Sequence, residues 1–322
     1  MDRLEAMSIL VAAVETGSFT AASRKLGMPL PTVSRKVAEL EARLNARLLI
    51  RTTRKLTLTD AGAAYLAASK QILEQVAEAE RAAAGEYLVP RGDLAIAAPI
   101  VFGRLHVLPI VNDFLAAFPQ INVQLALSDR NADLIGDRID MAVRIGALDD
   151  NCMIAVRAGF VRRVVCASPA FLAAHRVPKT PADLADLPCI TFGSSASASW
   201  PFAPKRRSVA AIPIRARLAV NTAEAALDAA LAGVGLTQVL SYQAADAVKE
   251  KRLRIVLQDF EIDPLPVHLI HPPQSLPPLK QRRFLDFALP RLKKALADIE
   301  RRVIPSPGFS GGRAANAKVR AG

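Results

Sequence analysis

The chain has 322 residues, 51% of them hydrophobic, and a formal net charge of +12. A chain of this length and composition can bury two or three separate cores. No apolar run approaches the roughly 20 residues of a membrane-spanning helix, and the N-terminus carries both charge signs. We therefore expect no membrane partner and no signal peptide, and we predict a cytoplasmic protein.

The positive charge is concentrated in two segments. Residues 24–55 hold nine Lys and Arg against two acids, and residues 301–322 hold five Lys and Arg with no acid. Clustered cations favour a polyanionic partner, because each phosphate that they neutralise releases counterions. A merely solvated basic face is the alternative, and geometry has to decide between the two.

The first 45 residues predict three short helices. Asp2 can cap the first helix, which ends at Gly17, and Ser18 can cap the second, which ends at Gly27. Pro31 suits the first turn of the third helix, where a missing N–H is tolerated. Apolar residues at spacings of four, three and four predict the buried stripe of this helix: Val33, Val37, Leu40 and Leu44.

The opposite face of the third helix is polar and basic. Two short helices joined by a tight turn, with such a face on the second, are typical of a helix-turn-helix that inserts into the major groove of DNA. Side chains of the first turns reach base edges, while hydroxyls and cations hold phosphates. The candidate DNA contacts in these helices are Ser18, Thr20, Pro31, Thr32, Ser34, Arg35 and Lys36.

Two short strands are predicted next, over residues 48–50 and 56–58. The basic turn between them is typical of a wing that contacts the DNA backbone or minor groove. Its candidate contacts are Arg51, Thr52, Thr53 and Arg54. Residues 1–58 are therefore predicted to form a winged helix-turn-helix domain for double-stranded DNA.

An alanine-rich segment from residue 59 or 60 to about residue 88 predicts one long helix. A long apolar stripe beside a small domain needs a partner, and a second copy of the chain is the simplest one. Packing against the rest of the same chain is the alternative. Since Pro90 and Gly92 break the pattern, residues 59–90 are interpreted as a linker and dimerisation helix with a hinge.

Strands alternate with helices over residues 91–300. This rhythm predicts mostly parallel sheets with helices on both faces, in two lobes that the chain crosses twice. Lobe I covers about 91–162 and 267–300, and lobe II covers about 163–266. Such a fold places a cleft for a small ligand between the lobes. The Gly- and Pro-containing residues 301–322 predict a disordered basic tail.

Several motifs resemble those of the LysR-type transcriptional regulators. They are residues 17–22 (GSFTAA), 32–37 (TVSRKV), 40–41 (LE), 48–49 (LL), 51–52 (RT) and 58–62 (LTDAG). The match is dense across residues 1–65 and continues more loosely to about residue 295. One departure is Pro29-Leu30, where the family often has a serine and a glutamine. This departure directs the expected base contacts to Thr32, Ser34 and Arg35.

The resemblance implies an α/β effector domain with the fold of periplasmic solute-binding proteins. It implies a cleft lined by Ile100, Val101 and Phe102, and opposite them by Ser128, Arg144, Phe192, Asn221, Thr222 and Val234. Core packing of the two phenylalanines and helix capping by Asn221 stay open as alternatives. Many apolar residues with one cation, Arg144, favour an aromatic or organic acid effector.

The resemblance also implies assembly into a dimer or tetramer on promoter DNA, with RNA polymerase as a further candidate partner. An effector that closes the cleft would shift the placement of the subunits on DNA.

Two other classes of protein compete with this interpretation. An enzyme lacks visible machinery, because the four histidines have no metal spacing and no GxSxG, P-loop or GxGxxG motif occurs. We therefore predict no catalytic residue, metal or cofactor. A nonspecific DNA-organising protein would not need the large α/β portion. Cys152, Cys166 and Cys189 are interpreted as small buried hydrophobes, with redox sensing by Cys152 and Cys166 as the alternative.

Overall fold

The structure is a computed structural model that describes most of the chain. The described residues are 2–51, 56–83, 89–130, 133–134, 136–137, 139–148, 153–193, 199–203, 208–273 and 277–303. They divide into two compact units, one containing the residues up to Gly92 and a segment that ends at Arg283, the other containing the rest.

The first unit has the predicted order of elements. These are α1 (Arg3–Thr16), α2 (Phe19–Leu26), α3 (Leu30–Leu44), β1 (Leu49–Arg51), β2 (Leu56–Leu58) and α4 (Asp60–Ala83). Gly17 and Gly27 end the first two helices with φ of 71° and 63°, a left-handed conformation that glycine adopts without strain. Asn45 ends α3 in the same conformation, with φ of 47°.

The apolar stripe of α3 packs into the core of this unit except at its end. Val33 and Val37 are fully buried, and Leu40 is 2% exposed. Leu44 is 39% exposed, so its predicted burial is wrong. The reason is its place as the last residue of α3, directly before the left-handed turn at Asn45.

The start of α4 is joined tightly to the strand β1. Thr59 caps α4 by accepting a hydrogen bond from the Gly62 N–H (2.9 Å), and its hydroxyl donates to the Arg47 carbonyl (2.7 Å). A Cβ atom at Gly62 would lie 1.9 Å from the Leu48 carbonyl oxygen, so only glycine fits there. The prediction that this helix continues to residue 88 falls on residues 84–88, which lie outside the described residues.

The second unit alternates strands and helices. Its lobe I elements are β3 (Gly92–Ala98), α5 (Ile100–Phe102), a π-helical turn (Gly103–Val107), α6 (Leu108–Ala117), β4 (Ile121–Leu127), β5 (Met141–Ile145), β6 (Ile154–Val161), β14 (Leu265–His271) and α10 (Leu279–Val303). Its lobe II elements are β7 (Arg163–Ala167), α7 (Pro169–Ala174), β8 (Cys189–Phe192), β9 (Ser199–Phe202), β10 (Ala210–Pro213), β11 (Ala216–Val220), α8 (Ala223–Leu231), β12 (Leu236–Leu240), α9 (Ser241–Lys249) and β13 (Arg254–Val256).

Each lobe has a five-stranded sheet within the described residues, in the order β4-β3-β5-β14-β6 for lobe I and β11-β8-β12-β7-β13 for lobe II. The strand β3 runs parallel to β5, and β8 runs parallel to β11 and β12. The strands β14, β7 and β13 pair antiparallel to their neighbours. Both sheets are therefore mixed, which corrects the prediction of mostly parallel sheets. The chain passes from lobe I to lobe II before β7 and returns before β14. Each of these two strands runs antiparallel to the strands beside it.

The two lobes share one hydrophobic core. Phe102 and Val107 of lobe I lie in the same buried cluster as Tyr242 and Ala245 of lobe II. A smaller cluster within lobe II contains Trp200, the one tryptophan of the chain.

The stretch Ile100–Ala117 is long and apolar enough to pass for a membrane span, with a mean hydropathy of 1.4 over 18 residues. Helical structure begins at Ile100, directly after Pro99. Core packing explains much of its hydropathy, because six of its apolar side chains are buried in the shared core: Val101, Phe102, Val107, Ile110, Val111 and Phe114.

The last helix runs beyond residue 300, where the effector domain was predicted to end. It continues past Leu292 to Val303, because Leu296, Ile299 and Val303 extend its buried stripe at helical spacing. Residues 301–303 are thus helical and do not belong to the predicted disordered tail, and residues 304–322 lie outside the described residues.

Candidate functional site

The beginning of α3 is an open surface. No side chain caps this helix, and the Pro29 carbonyl accepts from the N–H groups of Thr32 (2.9 Å) and Val33 (3.2 Å). Pro29, Leu30 and Pro31 are exposed, Leu30 by 41%. The departure from the family pattern at Pro29-Leu30 therefore lies on the surface, at the end of the helix that would approach DNA.

The polar face of α3 is also accessible at its centre. The Arg35 side chain is 69% exposed, and its Nε lies 3.8 Å from the Glu39 carboxylate one turn later. An exposed pair at this distance is weak, so Arg35 is available to another anion. Thr32 and Ser34 are partly exposed.

Lys36 has a different environment. Its ammonium group pairs with the Glu5 carboxylate of α1, and its side chain is only 18% exposed. Lys36 therefore joins α3 to α1, which corrects the expectation that it is free to contact phosphate. Lys36 lies three residues after Val33 and four before Leu40, so it stands at the edge of the buried stripe, where most of its side chain is covered.

The helix α2 presents one capping residue and one free hydroxyl. The Ser18 Oγ accepts from the Ala21 N–H at 3.1 Å, while Ser18 as a whole remains exposed. Thr20 is exposed in the first turn of α2. Both predicted contacts thus lie on the surface, and Ser18 also has a structural role as the cap.

Two acids that the sequence reasoning did not single out hold this domain together. The Glu41 Oε1 accepts from the backbone N–H groups of Leu48 (2.7 Å) and Leu49 (3.0 Å), which ties α3 to the first strand of the wing. The Glu15 carboxylate accepts from Lys70 (2.9 Å) and Lys25 (3.0 Å), and these hydrogen bonds lower the pKa of Glu15.

The structure describes the two strands of the wing, and the residues between them, 52–55, lie outside the described part of the chain. The strands β1 and β2 pair antiparallel, with Leu49 opposite Leu58 and Arg51 opposite Leu56. Arg51 therefore ends the first strand of the hairpin. The other predicted wing contacts, Thr52, Thr53 and Arg54, lie outside the described residues.

The second unit contains a cavity of about 920 Å³ between its two lobes. The carboxyl ends of parallel strands meet at one edge of each sheet, and the residues after them converge on this space. Pro99 after β3 and Ser128 after β4 line it from lobe I, and Phe192 and Asn221 line it from lobe II. A cavity of this size accommodates a small organic molecule.

Four of the nine predicted effector contacts line the cavity, namely Ser128, Arg144, Phe192 and Asn221. Val101 and Phe102 are buried in the shared core, and Ile100, Thr222 and Val234 are not among the lining residues. The expectation that these five line the cleft is corrected. Asn221 does not cap its helix, because the Thr222 Oγ1 takes that role by accepting from the Ala225 N–H (3.2 Å).

The displacement of residues 100–102 has a local cause. Helical structure starts directly after Pro99, so the side chains of Val101 and Phe102 are buried in the core and do not line the cleft. The Ile100 N–H donates to the Asp129 Oδ1 at 3.0 Å, which fixes the start of this helix against the end of β4.

Polar lining residues that sequence reasoning missed include Asp129, Arg130, Asp137, Arg163 and Tyr242. Arg163 begins β7, and its Nε is buried without a hydrogen-bond partner among the described residues. Burial lowers the pKa of the Arg163 guanidinium and raises the pKa of the Tyr242 hydroxyl. A single cation at the start of an otherwise apolar strand is the signal that could have identified Arg163.

The cysteines that the structure describes behave as small hydrophobes. Cys166 and Cys189 are buried, and burial raises the pKa of each thiol to about 12, which disfavours a reactive thiolate. Cys152 lies outside the described residues. Among the described residues, no group of three or more His, Cys, Asp or Glu could hold a metal ion.

Comparison with known proteins assigns both units. Residues 4–63 match the family model of the bacterial regulatory helix-turn-helix protein, lysR family, and residues 89–293 match the LysR substrate binding domain. An HTH-type transcriptional regulator of Xanthomonas campestris is 34% identical over 289 residues, which cover 88% of this chain and 84% of that protein. An HTH-type transcriptional repressor of Pseudomonas aeruginosa is 33% identical, with coverage of 90% and 92%.

A solved structure gives the same assignment. CrgA, a LysR-type transcriptional regulator from Neisseria meningitidis, is 29% identical and has a TM-score of 0.58, with 91% of this chain and 99% of CrgA covered. The predicted order of a winged helix-turn-helix followed by a two-lobed α/β domain is thus confirmed. The chain belongs to the LysR-type transcriptional regulators, with a helix-turn-helix domain for DNA and a two-lobed domain for an effector.

Proposed function

We propose that this regulator reads its operator with the exposed side of α3, through Thr32, Ser34 and Arg35. The observation that carries the proposal is the contrast between the two sides of this helix. Val33 and Val37 are fully buried, whereas Arg35 between them is 69% exposed and only weakly paired. Such a helix can place its polar side chains against base edges in the major groove.

The remaining contacts of the DNA-binding domain have supporting roles. Exposed Ser18, Thr20 and Pro31 lie in or beside the first turns of α2 and α3, where they suit phosphate contacts. Arg51, Thr52, Thr53 and Arg54 contact the DNA backbone or minor groove from the wing. The domain covers residues 1–58, and residues 59–90 form the linker and dimerisation helix.

The effector domain covers residues 91–300, and its ligand occupies the cavity between the lobes. Ion pairs that cross between the lobes support a role for lobe placement in regulation. The Arg104 Nη2 lies 2.8 Å from the Glu224 carboxylate, and the Arg302 Nη1 lies 3.1 Å from the Asp246 carboxylate. A ligand that favours one arrangement of the lobes shifts the DNA-binding equilibrium by linkage.

The effector is a small organic molecule, either aromatic or an organic acid, since the cavity has apolar walls and several charged groups. The protein acts in the cytoplasm as a homodimer or tetramer and has no catalytic activity of its own. RNA polymerase is the protein partner expected at the promoter.

The replacement Arg35→Ala tests the reading helix. We expect operator binding to weaken by about 1–3 kcal/mol, because the variant loses a base or phosphate contact but keeps the core of α3. The matched control is Arg252→Ala, which removes an arginine that is also more than half exposed from an ion pair with Glu250 in lobe II. Fluorescence anisotropy with a labelled operator, selected from genomic fragments, measures both variants. Equal affinities would remove Arg35 from the interface.

The same titration distinguishes a regulator from a nonspecific DNA-organising protein. At fixed salt, a regulator binds its operator at least about 10³-fold more tightly than competitor DNA of unrelated sequence. A ratio near one at every salt concentration would favour the nonspecific protein instead.

A further inference from the structure

Arg162 and Arg163 are adjacent in sequence but have opposite environments. Arg162 lies at the first crossing between the lobes, where its Nη1 is 3.2 Å from the Glu261 carboxylate and its Nη2 donates to the Val303 carbonyl at 3.3 Å. The guanidinium of Arg163 has no hydrogen-bond or ion-pair partner among the described residues, although its Nε is buried. Arg163 lines the cavity, and Arg162 does not.

The acids in the cavity wall do not neutralise Arg163. The Asp129 Oδ1 accepts from the Ile100 N–H at 3.0 Å, and the Asp137 Oδ2 accepts from the Asp133 N–H at 3.1 Å. Neither forms an ion pair with Arg163 within the described part of the chain. Among the lining residues, three arginines outnumber these two aspartates. The described wall of the cavity therefore carries a net positive charge, and its partly buried Arg163 has no counterion among the described residues.

A desolvated guanidinium without an acceptor is unfavourable, and burial accordingly lowers the pKa of Arg163. An anion in the cavity removes this penalty, because a guanidinium donates two parallel hydrogen bonds to a carboxylate or a phosphate. The rest of the wall combines polar side chains such as Asn221 and Gln243 with apolar ones. The apolar residues include Ile96, Ala142, Val143, Phe192 and Leu240. This combination fits a molecule with one charged end and one apolar body.

We propose that Arg163 is the anion-binding residue of the cavity and that the effector is a small organic anion, with a carboxylate at Arg163 and an apolar body against the two lobes. This inference rests on the proposed function of the cavity as the effector site. It goes further in choosing an acid over a neutral aromatic molecule and in assigning recognition of the acid to Arg163.

The test compares acids with their neutral amides on the full chain. The probes are benzoate and benzamide, hexanoate and hexanamide, and succinate and succinamide, with inorganic phosphate and sulfate as separate arms. Binding is measured by calorimetry and by the thermal unfolding midpoint that Trp200 fluorescence reports. We expect at least one carboxylate to bind and to raise the midpoint, while its amide does neither.

Two variants assign the effect to the side chain. Arg163→Gln should weaken binding of that carboxylate at least tenfold, while Arg130→Gln, which removes the same charge from an exposed lining residue, should change it less than threefold. Without ligand, Arg163→Gln should unfold at the same or a higher temperature than the wild type, because it removes a partly buried cation that has no partner among the described residues. This readout also separates a binding role from a structural one.

Several outcomes would overturn the proposal. They are equal binding of acids and amides, unchanged affinity in Arg163→Gln, no binding of any carboxylate, or binding of phosphate and sulfate alone. A neutral probe that binds independently of Arg163 and changes operator affinity would leave the proposed function standing while rejecting the anion. Failure of the Arg35→Ala test, by contrast, would reject the assigned reading surface and leave the ligand question untouched.

Discussion

The reading helix and the interlobe cavity differ in how their residues are brought together. On α3, exposed Arg35 and buried Val33 and Val37 lie within five residues, and the helical period alone separates them. The cavity gathers residues from Ala95 to Leu265, carried by strand ends of two sheets. Exposure on a single helix is a local property, whereas exposure in the cavity depends on strand order and direction.

The two regions also differ in the partners of their charged side chains. Around α3, Lys36 and Lys25 are held by carboxylates of α1, and Arg35 keeps only a long contact to Glu39. In the cavity, Asp129 and Asp137 accept hydrogen bonds from backbone amides, and Arg163 has no counterion among the described residues. In both regions, the cation that we propose to meet the ligand is one without a close carboxylate.

The largest expected effect is on the first unit. Gly62→Ala should lower its unfolding free energy by about 3 kcal/mol, because the added Cβ would lie 1.9 Å from the Leu48 carbonyl oxygen. Operator binding should fall with it. Circular dichroism during urea unfolding measures the loss of helix, and Trp200 fluorescence reports lobe II, which should unfold as in the wild type.

Gly17→Ala is the matched control for this variant. Gly17 has a φ of 71° but no atom within 4 Å of an added Cβ, so only backbone strain of about 1 kcal/mol is expected. If Gly17→Ala and Gly62→Ala lowered the unfolding free energy equally, the close contact at Gly62 would cost no more than backbone strain at a helix end. If Gly62→Ala also destabilised lobe II, as reported by Trp200 fluorescence, the effect would not be local to the first unit.

A pH-dependent change in the unfolding free energy, no larger than that expected for Gly62→Ala, is predicted for the second unit. The His106 ring packs against Phe102 (5.0 Å) and Tyr242 (5.8 Å), one residue from each lobe, and its Nε2 is buried without a partner among the described residues. Burial lowers the pKa of His106 to about 4 from an ordinary 6.5. A lowered folded-state pKa means that its stability contribution is present above pH 6.5 and is lost as the pH falls towards 4. The loss should reach about 3 kcal/mol.

Glu261 should act in the opposite direction. Its burial raises the pKa of the carboxyl from an ordinary 4.5 to about 7, despite the nearby Arg162. Its stability contribution is therefore present below pH 4.5 and is lost as the pH rises through 7. Urea unfolding of His106→Gln and Glu261→Gln, each compared with the wild type from pH 4 to 8, should give difference curves of opposite slope. Flat difference curves would show that the lobe interface is hydrated at these groups.

The smallest effect on stability is expected at the ion pair between Arg104 of lobe I and Glu224 of lobe II. Glu224→Gln breaks the contact to Arg104, but both side chains are more than a third exposed. The unfolding free energy should therefore change by less than about 1 kcal/mol, and less still at 1 M salt. Glu250→Gln, which breaks an exposed pair within lobe II, is the control. A larger effect at Glu224 alone would indicate that lobe closure depends on this pair.

Most of the first unit could be predicted from sequence, because caps and helical period are short-range signals. Asp2, Ser18, Gly17 and Gly27 mark helix ends, and each has the expected conformation or hydrogen bond. The period failed at Leu44, where the helix ends and the core no longer covers the next position. It also failed to show that Lys36 pairs with Glu5, since that contact joins two helices.

The sequence alone predicted the order of elements, the open side of α3 and the existence of two lobes. Each of these features depends on patterns among residues a few positions apart. Only the tertiary structure decided that Arg163 faces the cavity while Val101 and Phe102 face the core. Arg163 stands at that edge because β7 runs antiparallel to β12, with Arg163 opposite Leu240. A strand's direction is set by distant backbone pairing, and no local pattern of side chains encodes it.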